Sequence, residues 1–114
     1  ALIIAVQEGK DDEVRRLIEE EHVSVKTSDA DGRTALIWAA QRGHETMVQW
    51  LVQEAGADVN ATDHDMATPL LFAAGFGHVA LVTWLVRNGG ARVDLGDKDG
   101  HTPLIIALLQ DHAG

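Results

Sequence analysis

The chain repeats itself every 34 residues, and this period constrains its fold more than any other feature. Residues 29–44 read DADGRTALIWAAQRGH, residues 63–78 read DHDMATPLLFAAGFGH, and the residues from 97 onward read DKDGHTPLIIALLQDH. The register of the three strings is marked by threonines, at Thr34, Thr68 and Thr102. Self-similarity with a period of about 20 to 50 residues is the signature of a repeat array.

Each unit has the local chemistry of a tight turn followed by two short helices. The string DADG at 29–32 predicts a turn that protrudes as a hairpin tip, because Gly supplies positive φ and Asp bonds nearby amides. Thr34 then stands as an N-cap, and in the two later units proline follows the threonine at the first helical position. Gly43 interrupts this first helix, which is therefore short.

The second helix of each unit has an apolar stripe and should end at a left-handed residue. The stripe has the spacing i, i+3, i+4, at Val14, Leu17 and Ile18, at Val48, Leu51 and Val52, and at Val82, Leu85 and Val86. Gly56 and Gly90 stand where such helices commonly end, whereas His22 stands there in the first unit, so we expect a different loop. One helix pair cannot bury its own stripe, so the units must stack.

Four strings of the repeat resemble the ankyrin repeat family. They are Asp-x-Asp-Gly-x-Thr-Pro-Leu, Ala-Ala-x-x-Gly-His, Val-x-x-Leu-Val, and Gly-Ala-Asp-Val-Asn at 56–60. The tetratricopeptide repeat has the same period, but its helices are longer and its signature contains a Tyr, which this chain lacks. The resemblance implies an all-α fold, an α-solenoid of stacked helix-turn-helix repeats with short β-hairpin-like loops. We predict one domain over 1–114, divided into a partial repeat 1–28, repeats 29–62 and 63–96, and a partial repeat 97–114.

The sequence departs from the family pattern in three places. The period exceeds the usual ankyrin unit of about 33 residues by one, which predicts an enlarged loop after the second helix, near Ala55 and Gly89. Met66 stands where a turn glycine is expected, which leaves the geometry of the second tip open. The histidine of the family's Thr-Pro-Leu-His string is replaced by apolar residues that must pack in its place, at Ile37, Leu71 and Ile105.

Charge and composition narrow the class of partner. The formal net charge is −9 with only nine Lys and Arg, which argues against nucleic acid and favours a protein partner with a basic patch. The longest apolar stretches have six residues, far too few to span a membrane, and the first lacks a cationic n-region. We therefore expect an intracellular protein, cytoplasmic or nuclear. There is no cysteine, which excludes disulfides and thiolate zinc sites.

No pattern of residues predicts catalysis, a cofactor or a metal. His44, His78 and His112 recur at the repeat period, one per unit, so we interpret them as structural turn residues. The strings at 27–32 and 95–100 echo the start of a calcium loop, but their twelfth positions hold Trp38 and Ile106 in place of the bidentate Glu. Ser24 and Ser28, the only serines, have no oxyanion-hole signature beside them.

By the family resemblance, a partner would bind on the concave face, which the hairpin tips and first helices line. The candidate partner-binding residues on that face are Arg33, Trp38, Arg42, Met66, Phe72, Phe76 and His101. Trp38, Phe72 and Ile106 are in register and would form a ladder that either faces a partner or fills the inter-repeat core. Trp50 and Trp84 lie between stripe positions and are interpreted as packing or convex-surface residues.

These observations favour a non-catalytic protein–protein interaction module. The alternative is a structural spacer or regulatory segment of a larger ankyrin array or enzyme, since the chain starts and stops within a repeat. The last unit shows only its first helix, with Leu108 where the second residue of Ala-Ala is expected. We expect a monomer, with self-association through this apolar end as the alternative.

Overall fold

The computed structural model describes residues 2–102, and that part of the chain contains six helices in three pairs. They are α1 (Leu2–Gln7), α2 (Asp11–Glu19), α3 (Ala35–Arg42), α4 (Glu45–Gln53), α5 (Pro69–Gly75) and α6 (Val79–Arg87). Extended pairing within 2–102 is limited to one antiparallel bridge between Ser28 and Thr34, at the base of a hairpin tip. The molecule is elongated, 44 × 25 × 23 Å. These observations confirm the predicted all-α repeat architecture.

The first helices of the second and third units begin at the predicted threonine caps. The Thr34 hydroxyl accepts a hydrogen bond from the amide of Ile37 at 3.3 Å, and Thr68 accepts one from Leu71 at 3.2 Å. Pro69 is the first residue of α5, where its fixed φ suits the helix and no amide is missed. The corresponding Pro103 lies outside the described residues.

The second helices bury one face against the array, but the buried stripe is shifted from the predicted one in the third unit. Leu81 and Leu85 are buried there, whereas Val86 is exposed. Successive helical residues are rotated by about 100°, so Val86 lies about 140° from Leu81 and reaches only the edge of the buried face. The prediction that Val86 belongs to the buried stripe is therefore wrong.

The loops that follow the second helices are the same in all three units, so the expected difference at His22 is wrong. His22 adopts a left-handed backbone with φ 56°, close to Gly56 at 75° and Gly90 at 78°. In each unit the next amide bonds a carbonyl in the last turn of the helix, as in Schellman motifs: Val23 to Leu17 at 2.9 Å, Ala57 to Leu51 at 2.9 Å and Ala91 to Leu85 at 3.0 Å. These hydrogen bonds hold His22 in the left-handed conformation, which costs about 1 kcal/mol of backbone strain. The side chain of His22 is exposed.

The turns between paired helices are braced by the recurring histidines. Gly43 has φ 73°, and a Cβ added there would come within 2.7 Å of the His78 ring. The Nε2 atom of that ring lies 2.8 Å from the Gln41 carbonyl oxygen. His44 lies over Gly9 in the same way, at 3.0 Å from an added Cβ. These two histidines are structural, as predicted, and His112 lies outside the described residues.

The core runs along the array between successive first helices. Ile37 and Leu71 are buried, so apolar packing does replace the family's histidine at these positions, whereas Ile105 lies outside the described part. Ala39, Ala40 and Ala73 are also buried, and their small side chains let α1, α3 and α5 approach one another closely. Each fully buried Leu or Ile stabilises the fold by about 1.5–3 kcal/mol.

Helix length excludes a transmembrane helix within residues 2–102. The longest helices have nine residues, a length of about 14 Å at 1.5 Å per residue, against a hydrocarbon thickness of about 30 Å. None of the described helices could span a bilayer.

Candidate functional site

Three hairpin tips project from one side of the array and share one backbone geometry. We call residues 29–33, 63–67 and 97–101 the tips. Each begins with an aspartate whose Oδ1 accepts two hydrogen bonds from amides two and four residues later, all between 2.8 and 3.0 Å. The doubt about the second tip is resolved, because Met66 takes the left-handed conformation, with φ 63°, that Gly32 and Gly100 take in the other two.

Neighbouring tips are joined to one another by backbone hydrogen bonds. The His64 amide donates to the Asp31 carbonyl at 2.9 Å, and the Lys98 amide donates to the Asp65 carbonyl at 2.8 Å. The Lys98 ammonium also pairs with the Asp65 carboxylate at 3.0 Å. The tips therefore form a continuous row of turns joined through their backbones.

The first helices carry an aromatic ladder behind this row. Trp38 on α3 and Phe72 on α5 are both half-buried, and Trp38 also packs against the hydrophobic core. The Trp38 indole Nε1 donates a hydrogen bond to Asp29 Oδ2 at 2.8 Å, and this bond fixes the ring against the first tip. Ile106, the predicted third member, lies outside the described residues.

Arg33 joins the two aromatic residues. Its guanidinium carbon is 5.5 Å from the Trp38 ring centroid and 5.1 Å from the Phe72 ring centroid. Its Nε lies 3.5 Å from Oδ2 of Asp63, a side chain that is only 2 % exposed. Arg33 is therefore not a free surface cation, since a carboxylate of the next repeat balances its charge.

The other predicted residues lie around this cluster. Arg42 is exposed, with its guanidinium carbon 6.0 Å from the Trp38 ring centroid. Met66 and Phe76 are each 56 % exposed, Met66 on the second tip and Phe76 at the end of α5. His101 is on the third tip, where its Nδ1 lies 3.2 Å from Asp97 Oδ2. The structure thus places the Arg33 guanidinium over both Trp38 and Phe72 and leaves Met66 and Phe76 open to solvent.

Three residues of this region were missed by the sequence analysis. Ile4 stands one repeat before Trp38 and is 59 % exposed, so it extends the ladder toward the N-terminal end. The step of 34 residues was the signal that could have found it. Asp29 and Asp63 were interpreted only as turn residues, yet their second carboxylate oxygens hold Trp38 and Arg33. No local signal in the sequence reveals those two contacts.

The carboxylates of the first and third tips are stabilised in their charged form. Burial alone would raise the pKa of Asp29, but hydrogen bonds from the Arg33 amide, the Trp38 indole and the Asp31 amide, with the Arg33 charge, hold it below its ordinary value of 3.8. The pKa of Asp97 is lowered chiefly by the hydrogen bond from the His101 amide, against the effect of burial. Both tips therefore carry negative charge at neutral pH.

A groove of about 230 Å³ opens between the second and third tips and α5. Its apolar lining includes Phe72 and Phe76, and its polar lining consists of Arg33 and the aspartates Asp63, Asp65 and Asp97. Ala67 lies at the same wall and contributes only a methyl group. The groove thus combines aromatic rings with charged side chains of both signs.

A group of potential metal ligands lies on the third tip, where Asp97, Asp99 and His101 place one ligand atom each within 4.8 Å of the others. The Asp97 carboxylate is already engaged on both oxygens, by two amides and by the His101 ring. Asp97 and His101, two members of this group, therefore form hydrogen bonds within the third tip.

Trp50 and Trp84 lie on the second helices, away from the tips. Both are half-buried and pack against the core, and the Arg15 guanidinium carbon is 5.3 Å from the Trp50 ring centroid. Their interpretation as packing residues is confirmed.

Comparison with known protein families agrees with this architecture. A family model described as ankyrin repeats in three copies matches residues 1–63, and a second, described as ankyrin repeats in many copies, matches residues 42–86. None of the curated proteins matches the chain. Since the first model alone covers more than half of the 114 residues, the chain belongs to the ankyrin repeat family.

Proposed function

We propose that this chain is a non-catalytic module that binds a partner protein through the tips and the exposed faces of its first helices. Ankyrin repeats are generally protein–protein interaction modules and are typically non-catalytic. We call the binding surface the tip face and define it by the three tips together with α3, α5 and Phe76, the residue that follows α5. It includes all seven candidate residues, from Arg33 to His101.

The observation that carries this proposal is the cluster of Arg33, Trp38 and Phe72. Arginine and aromatic side chains are the types that most often dominate interface energy. Here Asp29 holds Trp38 and Asp63 holds Arg33 before any partner arrives, so these two side chains lose little entropy on binding. Such preorganisation favours a surface that recognises a folded or extended protein segment.

The exposed side chains around the cluster supply the rest of the surface. Met66 and Phe76 offer apolar contact area, and Arg42 offers a cation beside Trp38. Scattered apolar residues are normal on a protein surface, but these two are on the same side of the array as the cluster. Together they provide an apolar centre with charged tips at its edge.

The experiment begins with a partner, captured on the immobilised chain and then purified. Binding is measured by calorimetry for the wild type, Phe76→Ala and Arg42→Ala, which change exposed side chains and should leave the fold intact. We expect each substitution to weaken binding by about tenfold, equivalent to about 1.4 kcal/mol. Val79→Ala is the matched control, because Val79 is exposed at the start of α6 rather than on the tip face.

Equal affinity of all four proteins would overturn the assignment of the tip face. That result would favour the alternative, a spacer or regulatory segment, because a spacer requires the same fold but no ligand on this surface. Loss of binding by Val79→Ala alone would place the binding surface at the turns between the helices.

A further inference from the structure

The boundary between residues 29–62 and residues 63–96 is held by polar contacts as well as by apolar packing. We call it the second boundary. The His64 amide donates a hydrogen bond to the first tip, and the Nε2 atom of His78 lies 2.8 Å from the Gln41 carbonyl oxygen. The tips and the turns between paired helices therefore each carry a hydrogen bond across the second boundary.

The loops that follow the second helices carry a further bridge across the same boundary. Asn60 Oδ1 accepts a hydrogen bond from the Arg92 amide at 2.9 Å, and Asn60 Nδ2 donates one to the Gly90 carbonyl at 3.4 Å. A carboxamide suits this place because it can both donate and accept. One side chain of the second unit thus bonds two backbone groups of the third.

The boundary between the first and second units, which we call the first boundary, lacks this bridge. Lys26 occupies the position of Asn60, 34 residues earlier, and a lysine ammonium cannot accept a hydrogen bond. The backbone is the same at both positions, since the Lys26 amide bonds the Ser24 hydroxyl just as the Asn60 amide bonds the Asp58 carboxylate. The type of side chain, rather than the path of the chain, therefore removes the bridge.

Two cavities and an unpaired histidine nitrogen lie along the first boundary. A cavity of about 280 Å³ is lined by Lys26 on one side and Asp58 on the other, at the place that the bridge occupies one repeat later. Another cavity, of about 250 Å³, is lined by Gly9 and His44 at the turns between paired helices. The buried Nε2 atom of His44 has no hydrogen-bond partner within the described part of the chain. Cavities thus lie at two places where the second boundary has polar contacts.

Apolar packing and one stacked cation hold the first boundary together. Helix α1 packs against α3 through buried residues such as Val6, and the Arg15 guanidinium lies 5.3 Å from the Trp50 ring centroid. The chain passes between the two units at the bridge of Ser28 and Thr34. Elsewhere within residues 2–62, no hydrogen bond or ion pair crosses the first boundary. The first boundary is therefore the weaker of the two.

We propose that the array opens at the first boundary, where α1 and α2 undock together while the second and third units stay docked. In a repeat array the interfaces between neighbours decide which units separate, and proteins open locally in contiguous cooperative units. Opening uncovers the face of α3 on which α1 packs and removes Ile4 from the ladder. The three tips stay joined, because the hydrogen bonds between them lie at the second boundary and beyond it. This opening does not depend on the proposed function.

Native-state hydrogen exchange of the whole chain, followed by ¹H–¹⁵N NMR, tests the proposal. We expect the amides of α1 and α2 to be at least about tenfold less protected than those of Val48 and Leu51 in α4. Lys26→Asn supplies the missing carboxamide and should raise protection throughout α1 and α2 by about tenfold. Lys26→Ala is the matched control, because it removes the same charge without adding a carboxamide, and should leave protection unchanged.

Three results of this experiment would overturn the proposal. The first is equal protection of α1, α2 and α4 in the wild type. The second is an equal effect of Lys26→Asn and Lys26→Ala, which would mean that the carboxamide forms no bridge at the first boundary. The third is a low protection limited to α1, since fraying of one terminal helix would spare α2.

Asn60→Lys is the reciprocal variant and removes the bridge from the second boundary. Protection in α5 and α6 should fall by about tenfold. Protection in α1 and α2 should stay the same, because this variant changes the second boundary equally in the closed array and in the array whose first unit has opened. If α1 and α2 lost protection together with α5 and α6, they would exchange through unfolding of the whole array, and the proposal would be wrong.

Discussion

Arg33 of one repeat pairs with Asp63 of the next, with 3.5 Å between Nε and Oδ2, and this contact crosses the boundary between two units. In a repeat array each unit contacts only its neighbours, so stability depends on such boundary interactions. The pair lies beneath the aromatic ladder, which means that one contact serves both the fold and the candidate binding surface.

The first prediction concerns this pair. Arg33→Ala should lower the free energy of unfolding by about 1–3 kcal/mol, because it leaves the buried Asp63 carboxylate without its cation. Arg42→Ala removes a similar side chain near Trp38. Within residues 2–102 Arg42 pairs with no buried acid, so this substitution should change the free energy of unfolding by less than about 0.5 kcal/mol. Urea unfolding of both variants measures the difference. Equal destabilisation would show that the Asp63 contact has no special role.

The second prediction concerns the strained tip. Met66→Gly should stabilise the fold by about 0.5–1 kcal/mol. Glycine adopts φ 63° without the steric strain of methionine, and this gain exceeds the extra conformational entropy that glycine loses on folding. The Met66 side chain is mostly exposed, so little packing is lost. Thermal and urea unfolding would both report the gain. A loss of stability would mean that the methionine side chain packs in a way that outweighs the backbone strain.

The third prediction compares two histidines that occupy the same place in successive repeats. His78 Nε2 lies 2.8 Å from the Gln41 carbonyl oxygen, whereas the buried His44 Nε2 has no hydrogen-bond partner among residues 2–102. His78→Phe should therefore cost about 1 kcal/mol more than His44→Phe, since both keep a ring over the glycine but only one loses a hydrogen bond. Urea unfolding at pH 7 decides the order. The reverse order would refute this account of the brace.

The fourth prediction concerns pH. The folded-state pKa of Asp29 is lowered, so its contribution to stability is fully present above the ordinary value of 3.8 and is lost as pH falls through the lower folded value. Asp97 acts in the same direction. The free energy of unfolding should therefore fall as acid is added below about pH 4.

Asp29→Asn isolates the contribution of the first tip. The variant should be less stable than the wild type at pH 7, where it lacks the charge that accepts the Trp38 indole hydrogen bond. The difference should shrink as pH falls below 3.8, because the wild-type carboxylate then becomes protonated as well. A difference that stays constant across this range would contradict the assigned pKa direction.

Sequence reasoning succeeded where one residue type decides the local backbone. Thr34 and Thr68 cap helices because their hydroxyls reach an amide three residues later, and each tip aspartate bonds amides two and four residues later. Such contacts join residues only two to four positions apart, so both partners can be read from one short stretch of the sequence. The same reasoning failed at His22, where the Schellman hydrogen bonds imposed a left-handed conformation that residue type alone disfavours.

The sequence by itself determined the 34-residue period and the all-α repeat architecture, and it predicted the seven candidate residues that the proposed binding surface contains. Only the tertiary structure decided which of them touch, for example that Arg33 lies between Trp38 and Phe72 and ends at Asp63. The physical reason is distance along the chain. Caps and turns are closed by neighbours in sequence. The contacts of Arg33 with Phe72 and Asp63, and the groove at Ala67, are instead formed by side chains about one repeat apart, so they depend on how closely successive units stack.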